Sequence, residues 1–291
     1  MKTTTWSLAY KPPFNWQSML GFFQHRAIPG VELITDDQYL RSIAIDEARG
    51  WIRLGHDPLS SALRLEINMD RPGFEETIIA RTRQLMDLDA PMAEIEARLC
   101  SFQPFADIIP KHRGTRLPGC WDPFEFSIRA ILGQQISVKA ATTLAGRIAR
   151  GYGETVAMEM PEGISHYFPA PGMLDGVSFD DIGLTRSRKA TLQNLATRVA
   201  SGGLELTANN GLEDFVARIV KEPGIGPWTA HYLAMRGLSQ PDAFPASDLG
   251  IIKMLSSEGR PIKPKQIEAL AESWRPWRAY AAIYLWQGSS Q

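Results

Sequence analysis

Two glycines one residue apart, the Pro-Trp pair behind them, and an aspartate 22 residues beyond the second glycine are the groups whose types and spacing could do chemistry. The first set lies in Glu222-Pro-Gly-Ile-Gly-Pro-Trp-Thr-Ala230 and the second in Phe244-Pro-Ala-Ser-Asp248. Gly224 and Gly226 fall between two helix-forming runs, where they let the backbone turn tightly and come close to another molecule. Pro227 stands where a second helix would begin, because its fixed φ suits a first turn and its missing N–H costs nothing there. The amides of Gly224, Ile225, Gly226 and Trp228 are then expected to be unpaired, and at the positive end of a helix they could hold a phosphate oxygen. Asp248 follows a proline-containing loop and opens the run Leu249-Gly-Ile-Ile-Lys253. It is expected at a helix N-terminus, where the dipole and free amides favour an ionised carboxylate. An aspartate that only caps the helix would occupy the same position, and a bare glycine hairpin also suits a corner without a ligand.

These groups need elements to carry them. Leu212 to Val220 reads as a helix with Leu212, Phe215, Val216, Ile219 and Val220 on its apolar face, and Trp228 to Arg236 as its successor, ended by Gly237. The hairpin thus spans 212–237. From Pro123 onward the pattern is helical. Phe124 to Tyr152 forms one long or two consecutive helices, Asp181 to Ser201 another, and Pro169 and Pro171 mark a loop. A helix opening at Asp248, then Pro264 to Glu272 and Trp274 to Gln287, completes the set. The first third differs: Tyr39–Ile45, Gly50–Leu54 and Ala62–Asn68 alternate loosely and read as a small antiparallel sheet. Trp16 to Ala27 and Phe74 to Met86 are the helices flanking it. The expected fold class is α+β, with an N-terminal α+β domain over 1–112 and an all-helical, two-lobed region over 113–291.

Composition bounds the function less tightly. At 291 residues and 44% hydrophobic content, the chain can bury one large core or two smaller ones. No apolar run approaches a membrane span, and Met1-Lys-Thr-Thr-Thr-Trp6 lacks the core of an export signal, which points to a cytoplasmic protein. Cys100 and Cys120 are too few for a disulfide framework or an iron–sulfur cluster, and are expected as buried small apolar residues. Residues 1–110 carry 11 Lys/Arg against 15 Asp/Glu, and residues 111–291 carry 20 against 17. An asymmetry this modest argues for no partner, so any nucleic-acid contact must rest on local groups and backbone amides. No His/Cys/carboxylate cluster has metal-ligand spacing, and no catalytic metal is expected.

With the hairpin and Asp248 at this spacing, the chain resembles the helix-hairpin-helix/Gly-Pro-Asp DNA glycosylase superfamily. Within it, the chain resembles the bacterial alkylation-repair branch, the 3-methyladenine DNA glycosylases II. The resemblance covers nearly the whole length. It includes Pro12-Pro-Phe-Asn-Trp16, Met19-Leu-Gly-Phe22, Arg116-Leu-Pro-Gly-Cys120, Ala130-Ile-Leu-Gly-Gln134 and Trp274-Arg-Pro-Trp-Arg-Ala-Tyr280.

The resemblance implies a monofunctional glycosylase that flips alkylated bases out of double-stranded DNA and needs no cofactor. Breaking the bond between base nitrogen and sugar C1′ passes close to an oxocarbenium ion, which Asp248 would stabilise while orienting water. Phe22, Trp228, Tyr232 and Trp286 are implied as an aromatic pocket for a cationic base. Trp228 and Tyr232, at i and i+4, share a helix face. Gly224, Ile225, Gly226, Trp228 and Thr229 are implied as DNA-backbone contacts. Gln135 holds the wedge position, where the family pattern would suggest an apolar residue. Relatives that also cut the strand carry a lysine two residues after the second hairpin glycine, where this chain has Trp228. That absence, and the absence of cluster cysteines, counts against an oxidised-guanine or thymine-glycol glycosylase/lyase. Asp248 and the pocket aromatics would be wasted on a non-catalytic DNA-binding protein. A fused module accepting methyl groups on cysteine is not expected from so short an N-terminal third. A structural monovalent cation bridging phosphate and the carbonyls of Val220, Pro223 or Ile225 is implied, the short basic run Arg186–Lys189 could reach phosphates, and a monomer would suffice.

Overall fold

In the computed structural model, which describes residues 3–256 and 260–289, the first third of the chain folds around a five-stranded antiparallel sheet. Its strands are β1 (Thr4–Ala9), β2 (Glu32–Ile34), β3 (Gln38–Ile45), β4 (Ala48–Asp57) and β5 (Ala62–Met69), in the order β1-β5-β4-β3-β2. Asp46 takes a left-handed φ of 51° in the short turn that pairs Ile45 with Ala48. Three strands are those the alternation predicts; the two edge strands are not. Only Leu8 is buried in β1 and β2 is three residues long, so neither carries a usable alternation. Met1 and Lys2, part of the stretch read for an export signal, lie outside the described residues. Helices α1 (Trp16–Gln24) and α2 (Glu75–Leu85) cover one face of the sheet. Tyr39, Ile43, Ile52, Leu54, Leu65 and Ile67 pack there against Trp16, Met19, Leu20 and Phe23 of α1.

A second core is helical. It begins before residue 112, with α3 (Met92–Leu99) and α4 (Phe105–Ile108). It continues through α5 (Pro123–Leu132), α6 (Val138–Tyr152), α7 (Pro171–Leu174), α8 (Arg186–Ala200), α9 (Leu212–Ile219), α10 (Pro227–Tyr232), α11 (Leu249–Leu255), α12 (Pro264–Ala271) and α13 (Arg278–Ser289). Phe124 to Tyr152 is two helices, each started by its own cap: Asp122 accepts from the Glu125 amide at 2.9 Å, and Ser137 from the Ala140 amide at 3.2 Å.

Three predicted helix boundaries need correction. The helix expected from Asp181 starts at Arg186, because Gly183 takes φ 83° and isolates a separate turn over Asp180–Ile182. The helix expected from Trp274 starts at Arg278: Pro276 cannot donate and drives Arg275 to ψ 144°. The second hairpin helix leaves α geometry after Tyr232 and finishes as a π-helical turn, Leu233–Gly237. The cysteines also differ from expectation. Cys100 ends α3 and Cys120 lies in the connection to α5, so both are half-buried, packed against the helical core. Burial pushes both thiols up, which keeps them protonated and inert.

Polar contacts tie the two cores together. Arg41, on the core face of β3, donates to both carboxylate oxygens of Glu125 on α5, at 3.3 and 2.7 Å. Gln287 of α13 donates to the Ser18 hydroxyl of α1 at 3.2 Å. That contact sets α1, a helix of the sheet unit, against the C-terminal helix, and it bears directly on the site.

Candidate active site

Asp248 is the N-cap of α11, as its surroundings predict. Its Oδ1 accepts from the amides of Gly250 (2.9 Å) and Ile251 (3.2 Å) and from the Trp286 indole at 2.8 Å. Its Oδ2 accepts from the Trp228 indole at 3.0 Å. Capping and a chemical role are therefore compatible: Oδ1 does the capping, while Oδ2, among the described residues, accepts one hydrogen bond, from the Trp228 indole. All four of these hydrogen bonds are donated to the carboxylate. Gly250 leaves a close fit, since a Cβ there would lie 3.1 Å from both Asp248 Oδ1 and Trp286 Cδ1.

The carboxylate opens onto a cavity of about 300 Å³ that Trp228, Tyr232 and Trp286 also line. Trp228 and Tyr232 stack with centroids 5.0 Å apart and planes 20° from parallel, and Tyr232 meets Trp286 edge-on at 6.2 Å. Phe22 lines an adjoining cavity of about 340 Å³ that shares Arg26 and Trp286 with the first. α1 carries it there: Trp16, Met19, Leu20 and Phe23 face the sheet, which turns Phe22 away from it, and Arg26 follows in the turn just past the helix. The N-terminal unit therefore supplies part of the site.

Three arginines in the pocket wall were not anticipated. Arg26, Arg129 and Arg236 line it together with Asp248. Arg236 is turned inward by the π-helical turn and is anchored on the carbonyls of Pro118 (2.8 Å) and Gly119 (3.1 Å); its remaining nitrogen donates to the Tyr232 hydroxyl at 3.0 Å. Arg26 sits one turn after Phe22, with its guanidinium carbon 3.8 Å from that ring's centroid. This i+4 spacing was the one available signal for it. Phe126, Ala130, Ile136, Val138 and Ala141 complete the apolar lining.

At the hairpin, Gly224 has φ 81°, and Gly226 caps α10 in an extended conformation. Among the described residues, the amides of Gly224, Gly226 and Trp228 meet no backbone acceptor. Ile225 departs from the expectation of a free amide: it donates to the Glu222 carbonyl at 3.1 Å, the bond that closes the turn, and its side chain is buried. Thr229 is buried too, its hydroxyl accepting from the Gln134 side chain at 3.1 Å. Gln134 also donates to the Gly224 carbonyl at 3.0 Å, so it braces the hairpin from the α5–α6 turn. Its neighbour Gln135 is exposed, with φ 56°, on the turn whose Gly133 and Ile136 edge the pocket. In the basic run, Lys189 pairs with Asp180 at 2.6 Å, and Arg188 donates to the Gln134 carbonyl.

A family model described as the AlkA N-terminal domain matches residues 5–122. Over 284 residues the chain is 34% identical to the probable bifunctional transcriptional activator/DNA repair enzyme AlkA of Mycobacterium tuberculosis, with 98% of this chain and 57% of that protein covered. The chain thus spans little more than half the length of that relative. It is 34% identical over 287 residues to DNA-3-methyladenine glycosylase 2 of Escherichia coli, covering 97% of this chain and 96% of that one. A solved 3-methyladenine DNA glycosylase from Archaeoglobus fulgidus shares the fold, with a TM-score of 0.83 at 20% identity over 99% of this chain and 98% of that one.

Proposed function

The chain belongs to the DNA-3-methyladenine glycosylase 2 family, and on that premise we propose that it hydrolyses the N-glycosidic bond of alkylated purines in duplex DNA. The observation that carries this reading is the Asp248 carboxylate, held by two indoles and two amides at the mouth of an aromatic pocket. A cavity of about 300 Å³ suits a single flipped base. With the base stacked between the aromatics, its sugar C1′ lies toward Asp248. Negative charge there stabilises the oxocarbenium-like transition state, and Oδ2 orients water and takes its proton. Trp228 stands where a strand-cutting relative would carry a lysine, so the product is an intact abasic strand.

The remaining roles follow from position. The amides of Gly224, Gly226 and Trp228 take a phosphate oxygen beside the lesion. Gln135, exposed at the pocket edge, fills the gap left in the stack and offers its amide to the orphaned partner base. Among the described residues, the carbonyls of Val220, Pro223 and Ile225 accept no hydrogen bond from the backbone, so this donor set fits a monovalent cation. Such an ion would add positive charge where the phosphate lies. The reaction as proposed needs one chain, which fits a monomer, and the unbridged Cys100 and Cys120 fit a cytoplasmic protein. Among the described residues, no helix is long and apolar enough to cross a membrane.

The test is release of free bases from methylated duplex DNA, with strand integrity followed before and after alkali. The wild type is expected to release methylated purines and to leave nicks only after alkali. Asp248→Asn should lower the single-turnover rate by at least about a hundredfold while still binding DNA. Equal rates for the two proteins would remove Asp248 from the chemistry, and nicks before alkali would contradict simple hydrolysis.

A further inference from the structure

The pocket wall carries three guanidinium groups against one carboxylate. Among the described residues, the hydrogen bonds of these arginines run to neutral oxygens. Arg26 donates to the Phe22 carbonyl, Arg129 to the Arg26 carbonyl and the Thr142 hydroxyl, and Arg236 to two carbonyls and the Tyr232 hydroxyl. Their positive charge is therefore not cancelled by a directly bonded carboxylate. Tyr232 reports the result. Burial alone would raise its phenol, yet Arg236, Arg26 and Arg129 outweigh burial and hold it below the ordinary value. Burial lowers Arg26 and Arg129; Tyr232 opposes this at Arg26 and Glu32 at Arg129, while the neighbouring arginines lower each further.

The arginines also occupy aromatic faces that a cationic base would otherwise use. Arg26 lies 3.8 Å and Arg236 4.6 Å from the Phe22 centroid, and Arg236 lies 4.7 Å from that of Phe126. The two tryptophans instead turn their N–H groups to Asp248. The guanidinium groups thus gather around Phe22, Phe126 and the Tyr232 hydroxyl, while the indole N–H groups gather on the carboxylate.

Resting on the glycosylase reading above, we propose that this pocket is electrically polarised across the scissile bond, with Arg26, Arg129 and Arg236 stabilising electron density that moves onto the departing base. The C1′–N bond breaks with both electrons going to the base nitrogen, and water oxygen forms the new bond to C1′ while its proton passes to Asp248 and then to solvent. A base that was cationic departs neutral and needs little help. A neutral base departs as an anion, is protonated by solvent, and draws on the guanidinium charge until then. Release of neutral bases therefore depends on the arginines more than release of cationic ones.

Single-turnover release of N7-methylguanine and of hypoxanthine, a cationic and a neutral purine, should be compared for wild type, Arg26→Gln and Arg26→Lys. The ratio of neutral to cationic release is expected to fall by on the order of tenfold or more in Arg26→Gln and to be largely restored in Arg26→Lys. An unchanged ratio, even with both rates lowered, would overturn the proposal and make Arg26 a packing residue. Wild-type release of methylpurine with no hypoxanthine release would also overturn it. Failure to release any methylpurine would instead sink the glycosylase reading itself. A second measurement covers poor folding of the glutamine variant: across neutral purines of rising acidity, wild-type rates should vary less steeply than in solution hydrolysis, and an equally steep dependence would refute the polarised pocket.

Discussion

Asp248 receives four N–H groups from three directions, and the two indoles among them belong to the pocket itself. The residues that grip the base thereby also aim the carboxylate. Trp286→Phe keeps an aromatic ring in place and removes one donor to Oδ1. A hydrogen bond to a charged group contributes about 1.5–3 kcal/mol, so single-turnover base release should fall roughly tenfold to a hundredfold. Lesion binding should change much less, because the stacking surface remains; equal losses in rate and binding would mean that the indole only packs. At this scale the sequence was partly legible. Trp228 and Tyr232 stand at i and i+4 beside a glycine hairpin, so local spacing put them on one helix face, and the proline loop put Asp248 at a helix N-terminus; their roles in a pocket and in catalysis came from the family resemblance. Trp286, 38 residues beyond Asp248, was reached through family resemblance alone. The arginines were missed for a physical reason: most arginines are solvated, and no periodicity marks one whose hydrogen bonds are met by carbonyls of a distant connection, as Pro118 and Gly119 meet those of Arg236.

Among the elements, the hairpin is held closely by its neighbours. Gly224 has φ 81°, and a Cβ placed on it would lie 2.0 Å from Thr191 Oγ1 on α8. The turn is thus pressed against α8 and braced on its other side by Gln134. Gly224→Ala combines a left-handed alanine, costing about 1–2 kcal/mol, with a steric clash against a helix. A lower melting temperature is expected, together with weaker binding of damaged and undamaged duplexes alike. Adding Thr191→Ala should recover part of the stability and leave the backbone cost. Identical melting of the single and double variants would show that the clash is relieved elsewhere. The turn itself was legible from Gly-Ile-Gly-Pro. The π-helical turn after Tyr232 was not, since nothing in residue propensities marks one added residue per turn, and it is this turn that swings Arg236 into the pocket.

At the scale of the molecule, the site depends on the sheet unit being docked on the helices, because α1 and the turn that follows it deliver Phe22 and Arg26. The α+β class and the three central strands were legible from alternation. The docking was not: it rests on polar groups buried far apart in sequence, which no local pattern reveals. Asp87, half-buried just after α2, is a further polar group at this seam. It accepts from the Tyr280 hydroxyl of α13 at 3.1 Å and from the Leu117 amide at 3.1 Å. Burial pushes its carboxyl up from the ordinary 3.8 to about 7, against the opposing effect of Arg116. A carboxyl raised on folding binds more protons in the native than in the unfolded state between about pH 4 and 7. Its contribution to stability is therefore complete below pH 4 and is lost as the pH rises through 7. The span corresponds to roughly 2–4 kcal/mol at most. Asp87→Asn removes this titration and keeps an oxygen for the Leu117 amide. Urea midpoints measured across this range should fall with rising pH more steeply for the wild type than for Asp87→Asn, and the variant should be the more stable of the two in mild alkali. Parallel profiles would show that Asp87 is ionised in the folded protein at neutral pH, leaving Arg116 as its working partner and the seam between the two cores an ion pair instead of a neutral hydrogen-bonded contact.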